Sequence, residues 1–156
     1  MSGARSFDLI IAGGTVVDGV GSSALRADVG VRGETIAAVG DLSGAGATRR
    51  IDATGLTVIP GMVDCHGHSD LNLLADPRGA SKLRQGVTTE LNGQCGLGIF
   101  PVRPEHRKSL ETACSFISAP VAWDWVTAED YLRRLDETQP AYSCAAMVGH
   151  GAVRAW

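Results

Sequence analysis

Two histidines, His66 and His68, flank a glycine directly after the apolar run Val58-Ile59-Pro60-Gly61-Met62-Val63-Asp64. The β-branched residues of that run predict a strand that carries through Met62–His66. Side chains at i and i+2 of a strand leave the same face, so this spacing predicts two imidazoles aimed at one point. Neutral imidazole is a common ligand of zinc and related divalent ions. The chemistry implied is that of a metal-dependent hydrolase.

A second group with that chemistry is Cys95, which ends a later apolar segment between Gln94 and Gly96. Its spacing fits either a small buried hydrophobe or a thiolate ligand whose proton a metal displaces. Glycines at 93, 96 and 98 would let backbone pass close to an ion. His150, between Gly149 and Gly151, follows a third strand-like run and reads either as a solvated loop residue or as a functional one. The other residues of this kind read as structural. His106 sits in a charged helix start, and Cys65 would leave the opposite strand face from its neighbours. Trp123 and Trp125 flank Asp124 and read as packing before substrate wall. Gly13-Gly14 reads as a turn and lacks the spacing of a phosphate-binding loop.

The elements that must position these groups fall into two textures. Residues 1–60 read as short strands and turns: Phe7–Ala12, Thr15–Asp18, Ala27–Val31, a run around Thr35–Val39, and Arg50–Gly55. Arg32-Gly33-Glu34 is a hairpin signal, and Ser43–Ala47 reads as a loop. Residues 61–156 alternate strands with helices. Strand Met62–His66 precedes a polar loop and a helix near Arg78–Gln85, with Gly86 suited to its C-terminal cap. Strand Val87–Asn92, a helix from Pro104 to about Phe116, a helix Tyr131–Thr138 and a strand Ser143–Val148 follow. Thr127-Ala128-Glu129-Asp130 resembles a capping box with Asp in place of Glu. Such alternation predicts parallel β/α units with functional residues on the loops after the strands. Three such strands cannot close an eight-stranded barrel, so the chain is expected to be the N-terminal part of a longer enzyme.

Composition narrows the class further. The 156 residues carry 14 basic and 17 acidic side chains, a formal net charge of −3. With no basic run beyond Arg49-Arg50, a nucleic-acid partner is not expected. Residues 1–6 have no apolar signal-peptide core, and nothing approaches the roughly 20 apolar residues of a membrane span, so no membrane partner is expected. The four cysteines lack a disulfide-rich spacing, which points to a reducing, cytoplasmic setting.

These residues resemble a known family. Val58–His68 resembles the first-strand signature of the amidohydrolase superfamily, and Asp8–Asp18 resembles its N-terminal start. Gln85–Thr89, Asn92–Gly96 and Met147–Arg154 are similar to the D-aminoacylase (N-acyl-D-amino-acid deacylase) group. The resemblance implies an α/β fold: residues 1–60 as the N-terminal share of a small β-sandwich, and 61–156 as the first units of an incomplete (β/α)8 barrel. It implies His66, His68 and Cys95 as ligands of one or two zinc ions, with the thiolate able to bridge two metal positions. Superfamily relatives that bridge through a carboxylated lysine are a poorer match, since Lys82 and Lys108 both fall in predicted helices. Dihydroorotase-like relatives carry an arginine where this chain has Asp70. The implied reaction is hydrolysis of the amide of a small N-acyl-D-amino acid by a water activated at zinc. In that scheme Asp70 orients a ligand histidine, His150 contacts substrate, and the general-base aspartate lies downstream of this chain. Two alternatives stay open: another amidohydrolase reaction, on cyclic amides or by deamination, and a non-catalytic fragment. Oligomeric state is open as well.

Overall fold

The computed structural model describes residues 6–156; residues 1–5, where the predicted N-terminal module begins, lie outside the described residues. Two compact units divide the chain, Met1–Pro60 and Gly61–Trp156.

The first unit is a mixed five-stranded sheet. Its strands are β1 (Phe7–Val16), β2 (Leu25–Arg32), β3 (Thr35–Gly40), β4 (Ala47–Asp52) and β5 (Thr57–Val58). The order is β3-β2-β1-β4, with β5 paired to β1. β1 runs antiparallel to β2 and parallel to β4 and β5. The Arg32–Thr35 hairpin forms as predicted, with Gly33 at φ 55° and its amide donating to Asp8 Oδ2 at 2.6 Å. Phe7, Ile10, Ala27, Val29 and Ala53 are its buried apolar residues.

Gly13-Gly14 is not a turn between two strands. β1 runs through it, and the register with β2 shifts between Ile11 and Gly14. Gly13 takes φ 70° and donates its amide to Asp28 Oδ1 at 2.7 Å, which satisfies the group that the ladder leaves unpaired. The side chain of Val58 lies where a Cβ on Gly14 would stand. The loop predicted over 43–47 ends earlier than expected, because Ala47 already pairs with Phe7.

The apolar run 58–64 is divided at Pro60-Gly61 as the change of texture predicts, but the strand expected over Met62–His66 ends at Asp64. Val58 pairs in the first sheet, the chain breaks at Pro60-Gly61, and Met62–Asp64 forms β6 of a second sheet. Proline donates no amide to a ladder, which accounts for the break.

The second unit is built on three parallel strands: β6, β7 (Val87–Asn92) and β8 (Ser143–Ala146), in that order. Sequential parallel neighbours need crossovers. The first crossover holds two short helices, α1 (Asn72–Ala75) and α2 (Ala80–Leu83). The helix predicted over 78–85 is therefore one turn long, and α1 occupies part of the expected polar loop. The second crossover holds α3 (Arg107–Ala113) between two 3-10 turns, then α4 (Ala128–Glu137). Thr127 and Asp130 form the capping box in full: Thr127 Oγ1 accepts from the Asp130 amide, and Asp130 Oδ2 accepts from the Thr127 amide at 3.0 Å. A last helix, α5 (His150–Ala155), follows β8.

The core of this unit draws mostly on the second crossover. Trp123 and Trp125 stack at 5.5 Å and are buried, Trp125 donating from Nε1 to the Ile99 carbonyl at 2.8 Å. Phe100 stacks on Tyr131, whose hydroxyl donates to the Asp70 carbonyl at 2.9 Å. The tryptophans thus serve packing, and this core fixes the backbone just past His68.

Candidate metal centre

β6 ends at Asp64, and His66 and His68 lie in the bend that follows it. Their convergence therefore does not come from the pleat of a strand, as the sequence suggested. It comes from a loop held against β7. The Gly67 amide donates to the Leu91 carbonyl at 2.9 Å, and Asp64 Oδ1 accepts the His66 amide at 3.1 Å. The side chain of Glu90 fills the space a Cβ on Gly67 would require. Only glycine fits between the two histidines.

Cys95 arrives on the loop after β7. Gly93, Cys95 and Gly96 take φ of 79°, 61° and 72°. For cysteine this left-handed backbone is strained, and such strain persists where surroundings over-determine it, often at functional positions. Gln94 helps to impose it by donating from Nε2 to the Cys65 carbonyl at 2.7 Å, tying the thiol's loop to the histidine loop. The Met147 backbone lies where a Cβ on Gly93 would stand, and Gly98 and Gly149 meet backbone to backbone. The loops after β7 and β8 are thus pressed together, and the Gly151 amide donates to the Gly96 carbonyl at 2.8 Å.

The result is one cluster. His66 Nε2 lies 3.2 Å from Cys95 Sγ, and His68 Nε2 lies 3.7 Å from it. Ligand atoms of all three residues fall within 4.8 Å of one another. The imidazoles meet edge to face at 5.5 Å, and Phe116 packs edge-on against His68 at the same distance. Two imidazoles and one thiol form a borderline-soft donor set that suits zinc. Buried His68 Nδ1 has no hydrogen-bond partner.

The other two expected residues stand outside the cluster. Asp70 is 1% exposed, and neither of its carboxyl oxygens finds a hydrogen-bond partner. Burial pushes its pKa up to about 6, with the charge of Glu90 adding to the push. It makes no hydrogen bond to either histidine. His150 is exposed at the start of α5, its Cβ facing Gly96 of the Cys95 loop.

Sequence reasoning missed the group behind the histidine loop. Lys82 of α2 reaches Asp64 and lies 3.1 Å from Glu90 Oε1. The Glu90 contact is an ion pair with a carboxylate that is itself fully buried. Glu90 Oε2 accepts from the Tyr142 hydroxyl at 2.7 Å. Burial works against the Lys82 ammonium, but the two carboxylates outweigh it and raise its pKa above the ordinary lysine value. Asp64 is held below its ordinary value, chiefly by its hydrogen bond from Lys82. A glutamate inside an otherwise apolar and hydroxylic strand, Val87-Thr88-Thr89-Glu90-Leu91, was the available signal.

Fold and site together define a parallel α/β unit whose strand-end loops gather two imidazoles and a thiol. The amidohydrolase family model matches residues 49–155, and the chain belongs to that family. It is 40% identical over 154 residues to a D-aminoacylase of Alcaligenes xylosoxydans xylosoxydans, covering 99% of this chain and 31% of that protein. A solved D-aminoacylase, studied for its binuclear metal centre, superposes with a TM-score of 0.79 at 41% identity, over 96% of this chain and 31% of that one. An N-acyl-D-glutamate deacylase from Bordetella bronchiseptica, solved with zinc and a phosphonate mimic of the tetrahedral intermediate, gives 0.82 at 34% identity over the same shares. The chain thus spans about a third of the length of these relatives.

Proposed function

We propose that this chain supplies the first metal ligands of a zinc-dependent N-acyl-D-amino-acid deacylase. The observation that carries the reading is the convergence of His66, His68 and Cys95 within 4.8 Å. The relatives named above are a D-aminoacylase with a binuclear metal centre and an N-acyl-D-glutamate deacylase solved with zinc, a metal this donor set suits.

In this reading His66, His68 and Cys95 would hold one or two zinc ions. Bound zinc supplies Lewis-acid polarisation of an acyl carbonyl and lowers the pKa of a water toward about 7. The chain's own residues set the geometry. Asp64 and Glu90 fix the histidine loop from behind, while Gln94 and the glycines fix Cys95 in its strained backbone. The orphaned His68 Nδ1 and Asp70 carboxyl are groups through which ring orientation is set, since ligand histidines ordinarily pass their second ring proton to such a partner. His150, beside the Cys95 loop, is placed to meet substrate. The general-base carboxylate belongs to later strands of the family's barrel.

The three parallel strands are the opening units of that (β/α)8 barrel, and the five-stranded sheet of 1–60 is the N-terminal share of a β-sandwich. All four cysteines are free, which suits a reducing, cytoplasmic compartment. No helix among the described residues is long and apolar enough to cross a membrane.

The test is release of free amino acid from N-acetyl-D-methionine and N-acetyl-L-methionine by the full-length gene product, with and without a chelator. Chelator-sensitive release from the D-substrate alone supports the reading. No release from either, with hydrolysis of cyclic amides, overturns it.

A further inference from the structure

We infer that Lys82 is a positioning residue for the candidate metal centre, acting through Asp64 and Glu90 on the two flanks of the histidine loop. This rests on the metal reading above and goes beyond its ligand set.

The geometry is specific. The Lys82 ammonium contacts Asp64 at the end of β6 and Glu90 in the middle of β7. Each of these carboxylates then touches the loop that bears the histidines. Asp64 keeps one oxygen for Lys82 and the other for the His66 amide. Glu90 packs on the Cα of Gly67 and takes the Tyr142 hydroxyl from the entry to β8. One cation thus ties β6 and β7 together, and through Glu90 it engages a phenol held beside β8.

Lys82 itself is held for the task. It sits in the single turn of α2, opened by Gly79 at φ 49°, and the Tyr142 ring fills the space a Cβ on Gly79 would need. Its side chain is three-quarters covered, so the charge is delivered to a partly dry site. A buried carboxylate with its cation removed must find water, a proton or a new position. The Glu90 carboxyl and Cγ lie directly against Gly67, so a shift of that carboxyl toward the loop presses on it. Loss of Lys82 is therefore transmitted to the spacing of His66 and His68.

Cobalt(II) binding to the full-length protein tests this, because a cobalt–thiolate charge-transfer band reports on Cys95 and the d–d bands report on coordination geometry. Lys82→Met is expected to weaken Co2+ affinity about 10- to 100-fold, the range typical of residues that orient metal ligands. The d–d bands shift with it, and Lys82→Arg recovers most of the affinity. Circular dichroism verifies folding in each variant. If Lys82→Met does not fold, Glu90→Gln decides, since it removes the charge and keeps an acceptor for Tyr142. Unaltered affinity and spectrum in the folded variants would overturn the inference while leaving the metal centre standing. Absence of any thiolate–cobalt band in the unsubstituted protein would overturn the metal centre and the inference together.

Discussion

Glu90 and Gly67 occupy one another's space: the glutamate side chain lies where any Cβ on the glycine would have to be. The pair explains the spacer in His66-Gly67-His68 better than strand geometry does. Gly67→Ala is expected to destabilise the fold by about 1–3 kcal/mol, as overpacking of a tight interior does. It should also loosen metal binding, because relief of the clash shifts either the Glu90 side chain behind the loop or the loop itself from its bond to Leu91. Urea denaturation with and without zinc measures both effects. An unchanged midpoint would show that the loop has slack this account denies.

The four thiols should differ sharply in reactivity. Cys65 and Cys95 are exposed, while Cys114 is buried and Cys144 half-buried. Burial pushes the Cys114 thiol up and that of Cys144 up to about 11, and the thiolate is the reactive form. Iodoacetamide at pH 8 should label Cys65 and Cys95 first, as read by peptide mass spectrometry. Zinc should then protect Cys95 and leave Cys65 reactive. Equal protection of both would point to a conformational effect of zinc and not to ligation.

The capping box of α4 carries a prediction on stability and pH. Thr127→Ala should cost about 1 kcal/mol, the usual value of an N-cap. Asp130 is held below its ordinary 3.8 chiefly by the Thr127 amide. Its folded pKa is thus lower than its unfolded one. Its contribution is fully present above pH 3.8 and is lost as pH falls through the folded value. Asp130→Asn should therefore flatten stability against pH in the acid range below that point. A slope identical to that of the unsubstituted protein would exclude Asp130 as a source of acid sensitivity.

Much of this was legible in the chain. The capping box at Thr127, the hairpin at Gly33 and strand Val87–Asn92 formed where expected, while the strands expected over Met62–His66 and Ser143–Val148 end two residues early, at Asp64 and Ala146. The histidine pair and Cys95 were legible as residue types, and the structure brings them together. What the sequence could not show was the cause of their meeting. Period-two spacing puts both histidines on one strand, but β6 ends at Asp64 and the glycine between them is required by Glu90 of the neighbouring strand. Gly13-Gly14 misled for a similar reason: a bulge stabilised by Asp28 and a turn use the same residues, and only the long-range amide acceptor distinguishes them. Lys82 looked like an ordinary helix lysine because its two partners are 18 and 8 residues away, on different strands. The Asp70 carboxyl has no hydrogen-bond partner among the described residues, so the orienting role proposed for it rests on its burial two residues past His68 and not on a contact.

Zinc stoichiometry of the full-length protein and of its His66→Ala, His68→Ala and Cys95→Ala variants, by mass spectrometry after dialysis against excess zinc, decides whether these three side chains are metal ligands. The account predicts one to two zinc ions per chain, and at least one fewer bound tightly in each folded variant. Full zinc content in Cys95→Ala together with either histidine variant would contradict it.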